Sequence, residues 1–344
     1  LLRKPARAAA RAVARQRLER AVERAAPLVL PTENAPETTI GNEEVHDFRV
    51  ALRRLRSWLR AAGDLLNDSL PKRDRSALRR IARRAGAARD AQVEWQWLTN
   101  PGVPFSAPAA RAARWLAGRR LAVYADARVR LQRRAAAEWP ELAASVAAAL
   151  AQATAPAGAP PESLGAHLAE VMDRHLQIAH AALDRIEHRT QVKLIHNARI
   201  EVKRLRYLVE SVDAHGPAGV RALRHLRQLQ DTLGELHDAH VITLQLNPLL
   251  IPHRGRRRPD GHPSLRDLRA LRAAVRRREL AAFRRAIELL SAPASAAAWR
   301  VLDELPARLA ASGTPHTPRR PRTARLHPRR STGEVSPKRQ PVTP

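Results

Sequence analysis

The chain has 344 residues, 62 Lys and Arg against 33 Asp and Glu for a net charge of +29, and no cysteine. The length allows two ordinary domains or one duplicated one, and the missing cysteine excludes disulfides, thiol catalysis and thiolate metal ligation and fits a reducing, cytoplasmic setting. A cationic surplus this large calls for a polyanionic partner, and with no uncharged apolar run of about 18 residues no membrane span is expected.

Residues 1–26 are rich in Arg and Ala, with an apolar period through Ala9, Val13, Leu18 and Val22. A transit peptide is also Arg-rich, but Glu19 and Glu23 interrupt the pattern and no apolar signal core follows, so this reads as a first helix. Pro27 to Asn42 is a loop. Asn42 is placed to cap the next helix, and Glu43 and Glu44 suit its positively polarised first turn. That helix runs to Leu66-Asn67. Pro71 opens a third, through Leu78, Ile81, Gly86, Val93 and Leu98, until Pro101 and Pro104 break it. A fourth spans Ala107 to Glu138, Pro140 stops it, and 141–150 form one more helical stretch. An Ala/Pro/Gly-rich linker, 151–162, separates two halves, 1–150 and 163–312. The plan then repeats: a long helix to Arg189, another to His215-Gly216, one from Pro217 to Leu246 broken by Pro248 and Pro252, a basic loop 253–263, and a helix from Ser264 to Leu290. Residues 291–312 hold a last short helix with Trp299, Leu302, Leu305 and Leu309. The tail, 313–344, carries eight Lys/Arg and one Glu without apolar period, so +7 of the charge is in a segment expected to be disordered and +22 on the part that folds.

One stretch is written twice, 150 positions apart. His46, Arg49, Arg53, Arg54 and Arg56 meet His196, Arg199, Lys203, Arg204 and Arg206, and the apolar positions keep the same register. At about 100° per residue, His46, Arg49, Arg53, Arg56 and Arg60 fall on one face and Phe48, Leu52, Leu55 and Leu59 on the other. In the second copy His196, Arg199, Lys203 and Arg206 oppose Ala198, Val202, Leu205 and Val209. Like charges at these spacings repel by a few tenths of a kcal/mol each, so such a stripe costs stability unless an anion sits on it. A second motif also recurs, offset by 148: Gly86…Arg89-Asp90…Val93 and Gly234…His237-Asp238…Val241. Two motifs in the same order indicate internal duplication, and the helix plan indicates an all-α pair of four-helix bundles.

The paired motifs, His-x-x-Arg-Val/Ile-x-x-Arg/Lys-Arg-Leu-Arg followed by Gly…Arg/His-Asp-x-x-Val, resemble the CHAD domain (conserved histidine α-helical domain) over about residues 1–310. The resemblance implies two bundles related by a pseudo-twofold axis, with the basic helices facing a groove or pore that binds inorganic polyphosphate. It implies a protein found alone or on polyphosphate granules. No Glu-x-Glu-x-Lys signature of the family's triphosphatase partner is present, so the chain looks like a stand-alone binder. Glu210 stands where the first half has Arg60, and His237 where it has Arg89; both departures point to weaker binding by the second half.

A receptor for polyphosphate has no base or sugar to read and needs dense cations, for which the planar guanidinium fork is suited. The expected clamp is Arg49, Arg53, Arg56 and Arg60 with Arg199, Lys203 and Arg206. Arg54 and Arg204 lie at its edge, and Arg79, Arg83 and Arg227 add to it from the third helices. His46 and His196 are expected neutral when the site is empty, since neighbouring Arg charges lower an imidazole's pKa, and donors when it is filled. Asp90 and Asp238 each stand without a second carboxylate at ligand spacing, so pairing with an Arg is expected rather than metal binding. His237 and His240 lack a third ligand for a metal. Gly86 and Gly234 read as points of close helix approach or as kinks. Trp58, Trp95, Trp97 and Tyr207 read as core. The alternative is a nucleic-acid binder using the same surface and the tail; against it, aromatics are only 3% and no recognised motif is present. An enzyme is not expected: there is no phosphate-binding loop, no carboxylate cluster and no nucleophile–base pair, and no cofactor is called for.

Overall fold

The computed structural model describes residues 1–29, 42–66, 70–100, 102, 104–152, 163–212, 216–251 and 261–313. The tail beyond Gly313, most of the expected loops over 27–42 and 253–263, and 153–162 of the expected linker lie outside the described residues, as does the side chain of Asn42. The described residues are all-α and pack as one compact unit. The helices are α1 (Ala6–Val29), α2 (Asn42–Ala61), α3 (Gly63–Leu66), α4 (Lys72–Thr99), α5 (Ala107–Gln152) and α6 (Leu164–Leu183), then α7 (Val192–Ser211), α8 (Pro217–Leu249), α9 (Leu265–Ser291), α10 (Pro293–Asp303) and α11 (Leu305–Gly313).

Long helices form because each has an apolar stripe to bury. In the first half α1 packs on α2 and α5, and α4 lies between α2 and α5. In the second, α7 lies between α6 and α8, α8 packs on α9 and α10, and α11 covers α6. The two sets meet through α5 with α9, α1 with α6, α4 with α8 and α2 with α7. The main core takes side chains from both sets, including Phe48, Trp58, Leu131, Met172, Leu205 and Leu226. A second core joins the end of α4 and start of α5 to the end of α8 and start of α9, around Trp97, Leu116, Ile242 and Leu271. Ser264 opens α9 with a reciprocal capping box to Asp267, and Arg111 of α5 grips that carboxylate at 2.7 Å. Gly165 is required where α11 crosses α6: a Cβ there would stand 2.5 Å from the Leu309 carbonyl oxygen.

Several boundaries differ from the sequence reading. Pro140 does not stop α5, which continues to Gln152. The proline is exposed, so the Ala136 carbonyl that loses its helical partner can turn to water, while Trp139, Leu142 and Val146 hold the following turns to the core. Pro27 and Pro248 likewise lie inside the last turns of α1 and α8. The helix expected to reach Arg189 ends at Leu183, because the Gln191 side chain accepts from the Glu187 and His188 backbone N–H groups, both at 2.8 Å, and folds the chain into a turn. The helix expected to run to Asn67 breaks at Ala62 into α2 and α3, and the last short helix is two, α10 and α11.

Candidate functional site

Burial of Phe48, Leu52, Leu55 and Trp58 fixes the rotation of α2. Phe48 meets Trp139 edge-on at 5.2 Å, and the Trp58 indole donates to the Ala10 carbonyl at 2.9 Å. The opposite face then presents Arg49, Arg53 and Arg56, each half-buried. On α7, buried Ile195, Ala198, Val202, Leu205 and Val209 leave His196, Arg199, Lys203 and Arg206 on the other side. Where α2 meets α7, the guanidinium groups of Arg53 and Arg206 lie 4.7 and 4.4 Å from the centre of the Tyr207 ring. Each stacking is worth about 0.5–1 kcal/mol and offsets part of the repulsion between two cations held on one aromatic.

Arg49, Arg53, Arg199 and Lys203 make a central group with Arg89 of α4, each raising the cost of charge on its neighbours. None of these four, nor Arg56 or Arg60, forms an ion pair or side-chain hydrogen bond with a described residue, and the Nε atoms of Arg49 and Arg53 are buried without a partner. Burial, then Arg53 and Arg89, lowers Arg49 to about 10. Burial, then Arg199, Arg53 and Arg49, lowers Lys203 to about 8, against the pull of Asp90. Arg53, Arg56 and Arg60 are also lowered, chiefly by burial. His46 and His196 are lowered by burial and the adjacent cations, as expected of imidazoles beside Arg stripes. His237, whose ring centre is 5.1 Å from that of His196, falls to about 4.

The remaining candidates divide. Arg56 faces Arg79 and Arg83 on the α4 side, where Arg79 donates to Ser76 at 2.8 Å. Arg60 instead faces Arg204, whose charge is taken by Glu201. Arg206 donates to Glu210 at 2.6 Å and Gln230 at 2.8 Å, and Arg227 reaches the same Glu210 at 3.2 Å. The acid standing in place of Arg60 thus occupies two expected binding groups. Arg54 is exposed, and its carbonyl accepts from Arg17 at 3.0 Å.

Asp90 and Asp238 do not hold Arg forks: neither makes an ion pair with a described residue. They belong instead to an acidic group with Glu94 under the central cations. Burial, then Glu94, raises Asp90, which still reaches solvent; burial, with Asp90 and Glu94, raises Asp238 to about 6. Gly86 and Gly234 do not mark close approach either, since nothing lies within 4 Å of a Cβ built on them. Tyr207 is buried as expected, but its ring serves as a platform for two cations. Among the described residues no three His, Asp or Glu are arranged to hold a metal, and no helix is long and apolar enough to cross a membrane.

Arg89, Tyr207 and Arg17 were not among the sequence candidates. Arg89 had a signal, since it stands in the duplicated motif opposite His237. Arg17 had none: its role comes from reaching across to the Arg54 carbonyl and to Ser211 Oγ, each at 3.0 Å, with its guanidinium 5.0 Å from the Trp58 ring centre.

A family model described as CHAD domain matches residues 32–247. The CHAD domain from the plant Ricinus communis has a similar structure: 18% identity, 90% of this chain and 92% of that chain covered, TM-score 0.54. PptA from Streptomyces chartreusis is similar at 21% identity, with 86% of this chain and 100% of that chain covered and a TM-score of 0.60. No curated protein matches the chain.

Proposed function

The chain belongs to the CHAD-domain family, and from that premise we propose that it binds inorganic polyphosphate without acting on it, clamping the polyanion in a cleft between α2 and α7. The observation that carries the reading is the group Arg49, Arg53, Arg199 and Lys203. Half-buried cations from two helices meet there without an ion pair to any acid among the described residues; burial lowers the pKa of Arg49, Arg53 and Lys203, and for Arg49 and Lys203 the neighbouring cations of the group add to it. A protein that leaves such charges without ion pairs, only partly offset by the acidic group of Asp90, Glu94 and Asp238, gains most from a ligand that is itself a line of charges. Arg56, Arg79 and Arg83 extend the track along α4. Arg206 and Arg227, shared with Glu210, are weaker members. A place on polyphosphate granules is part of the same proposal.

The test is retention of long-chain polyphosphate and of duplex DNA over a salt series. Polyphosphate should hold at salt that strips DNA, because counterion release weakens a purely non-specific phosphate contact steeply. Equal loss of both favours nucleic acid as the partner. Replacing Arg49, Arg53, Arg199 and Lys203 by Ala should abolish polyphosphate retention while the helical circular dichroism stays intact; retention by that variant would place the site elsewhere. Incubation with polyphosphate and Mg²⁺ should release no orthophosphate, and steady release would make the protein an enzyme.

A further inference from the structure

A cavity lies where α2, α6 and α7 meet, lined by Ser57, Arg60, His175, Arg204, Tyr207 and Ser211 among others. Ser57 and Tyr207 occupy the same place in the two copies of the basic stretch, 150 positions apart, so the cavity sits beside the crossing of the duplicated helices. Its donors are only partly used. Tyr207 is 7% exposed, and its hydroxyl is buried with no hydrogen-bond partner. The Nε of Arg204 is buried without a partner as well. Arg60 and the Ser57 hydroxyl bond no described residue. Ser211, by contrast, is fully engaged: it donates to the Tyr207 carbonyl at 2.6 Å and accepts from Arg17 at 3.0 Å.

The charges are also unequal. Glu201 is buried behind the cavity and takes Arg204 and, at 3.3 Å, the Nδ1 of His175. That cancels Arg204 and leaves Arg60, an exposed side chain that feels Glu201 without an ion pair to it, as the surplus cation at the cavity mouth. A water molecule could accept from Tyr207, but it would not neutralise Arg60. A tetrahedral oxyanion does both, offering several acceptor oxygens around one compact charge. Phosphate groups are not alike in this respect. An internal phosphate of a chain carries about one negative charge, whereas a terminal phosphate, with a second pKa near 6, carries about 1.5 to 2 at neutral pH, and free orthophosphate is there a mixture of monoanion and dianion.

We infer that this cavity is a subsite for a single phosphate dianion, either the end of a polyphosphate chain or free orthophosphate. The chain-end form rests on the polyphosphate reading above. Tyr207 then joins the two sites: its ring carries Arg53 and Arg206, and in this reading its buried, unpartnered hydroxyl is the donor that the bound phosphate takes up.

The test uses the full chain and calorimetric titration with three probes: inorganic orthophosphate, linear tripolyphosphate and cyclic trimetaphosphate, which has no terminal group. Linear tripolyphosphate should bind at least about tenfold tighter than the cyclic compound. Tyr207→Phe keeps the stacking ring and removes only the unpartnered hydroxyl. It should weaken tripolyphosphate by about three- to tenfold without lowering the melting temperature of the empty protein. Ser57→Asp places a carboxylate in the cavity and should weaken it by at least about tenfold. Binding of orthophosphate as well assigns the cavity to the free anion and the chain end alike; binding of tripolyphosphate alone assigns it to the chain end. Equal affinity for the linear and cyclic compounds, or unchanged titrations in Tyr207→Phe, overturns the inference. If long-chain polyphosphate is retained while all three probes fail to bind, the subsite falls and the clamp stands. If tripolyphosphate binds and long chains are not retained, the clamp falls instead.

Discussion

Lys203 is the cation of the central group whose proton is most easily lost. Its pKa of about 8 arises from burial and from Arg199, Arg53 and Arg49. Phosphate oxygens favour the protonated amine, so a bound polyanion raises that value. Below about pH 8 the amine is already charged and binding needs no proton; above it, binding must take one up and weakens by up to tenfold per unit until the bound pKa is passed. Affinity measured between about pH 7 and 9.5 should therefore decline above about 8, and Lys203→Arg, which stays charged throughout, should flatten the decline. A flat wild-type profile would remove Lys203 from the contact. At this scale the sequence told which residues are cationic and which face they share, because helical period alone decides that. It did not tell which are already spoken for. Glu210 lies four residues from Arg206 and 17 from Arg227 in sequence, and only the packing of α7 on α8 shows it meeting both. The grouping of Asp90 with Asp238 depends in the same way on where α4 meets α8.

Helices α2 and α7 were legible because each has an unbroken apolar face whose buried positions match the expected period. Their termini, and those of α1, α5 and α8, were less so. Proline signals end a helix only where the next turn has nothing to bury, and Leu142 and Val146 beyond Pro140 have a core to join. Gln191 ends a helical stretch with no breaker at all, through a side chain folded back on two amides. The two mid-helix glycines give the clearest prediction for an element. Gly86 and Gly234 lie inside α4 and α8 with open space around them. Glycine there costs about 0.5–1 kcal/mol relative to alanine. Gly86→Ala and Gly234→Ala should each stabilise the protein by that amount in urea unfolding. A loss of stability would mean that the backbone at these positions is under a constraint its open surroundings do not reveal.

Over the whole molecule the charge is divided between residues 1–313, at +22, and the segment beyond Gly313, at +7. Removing residues 314–344 takes away charge but none of the unpaired cations of the cleft. Retention of duplex DNA should therefore fall more than retention of polyphosphate over the same salt range. A larger loss for polyphosphate would mean that the tail, not the cleft, holds the ligand. The family match, at residues 32–247, stops well inside the fold. Outside it lie α1, whose Leu18 and Leu28 are buried and whose Arg17 ties α2 to α7, and α9 to α11, with buried Leu271, Val275, Trp299 and Leu302. A fragment trimmed to the matched residues would bare the partners of all these side chains, a wound of several large apolar groups that solvent cannot heal. Such a fragment should aggregate on expression, whereas 1–313 should elute as a discrete species and unfold in one transition. The useful border for anyone cutting this protein is therefore drawn by its core.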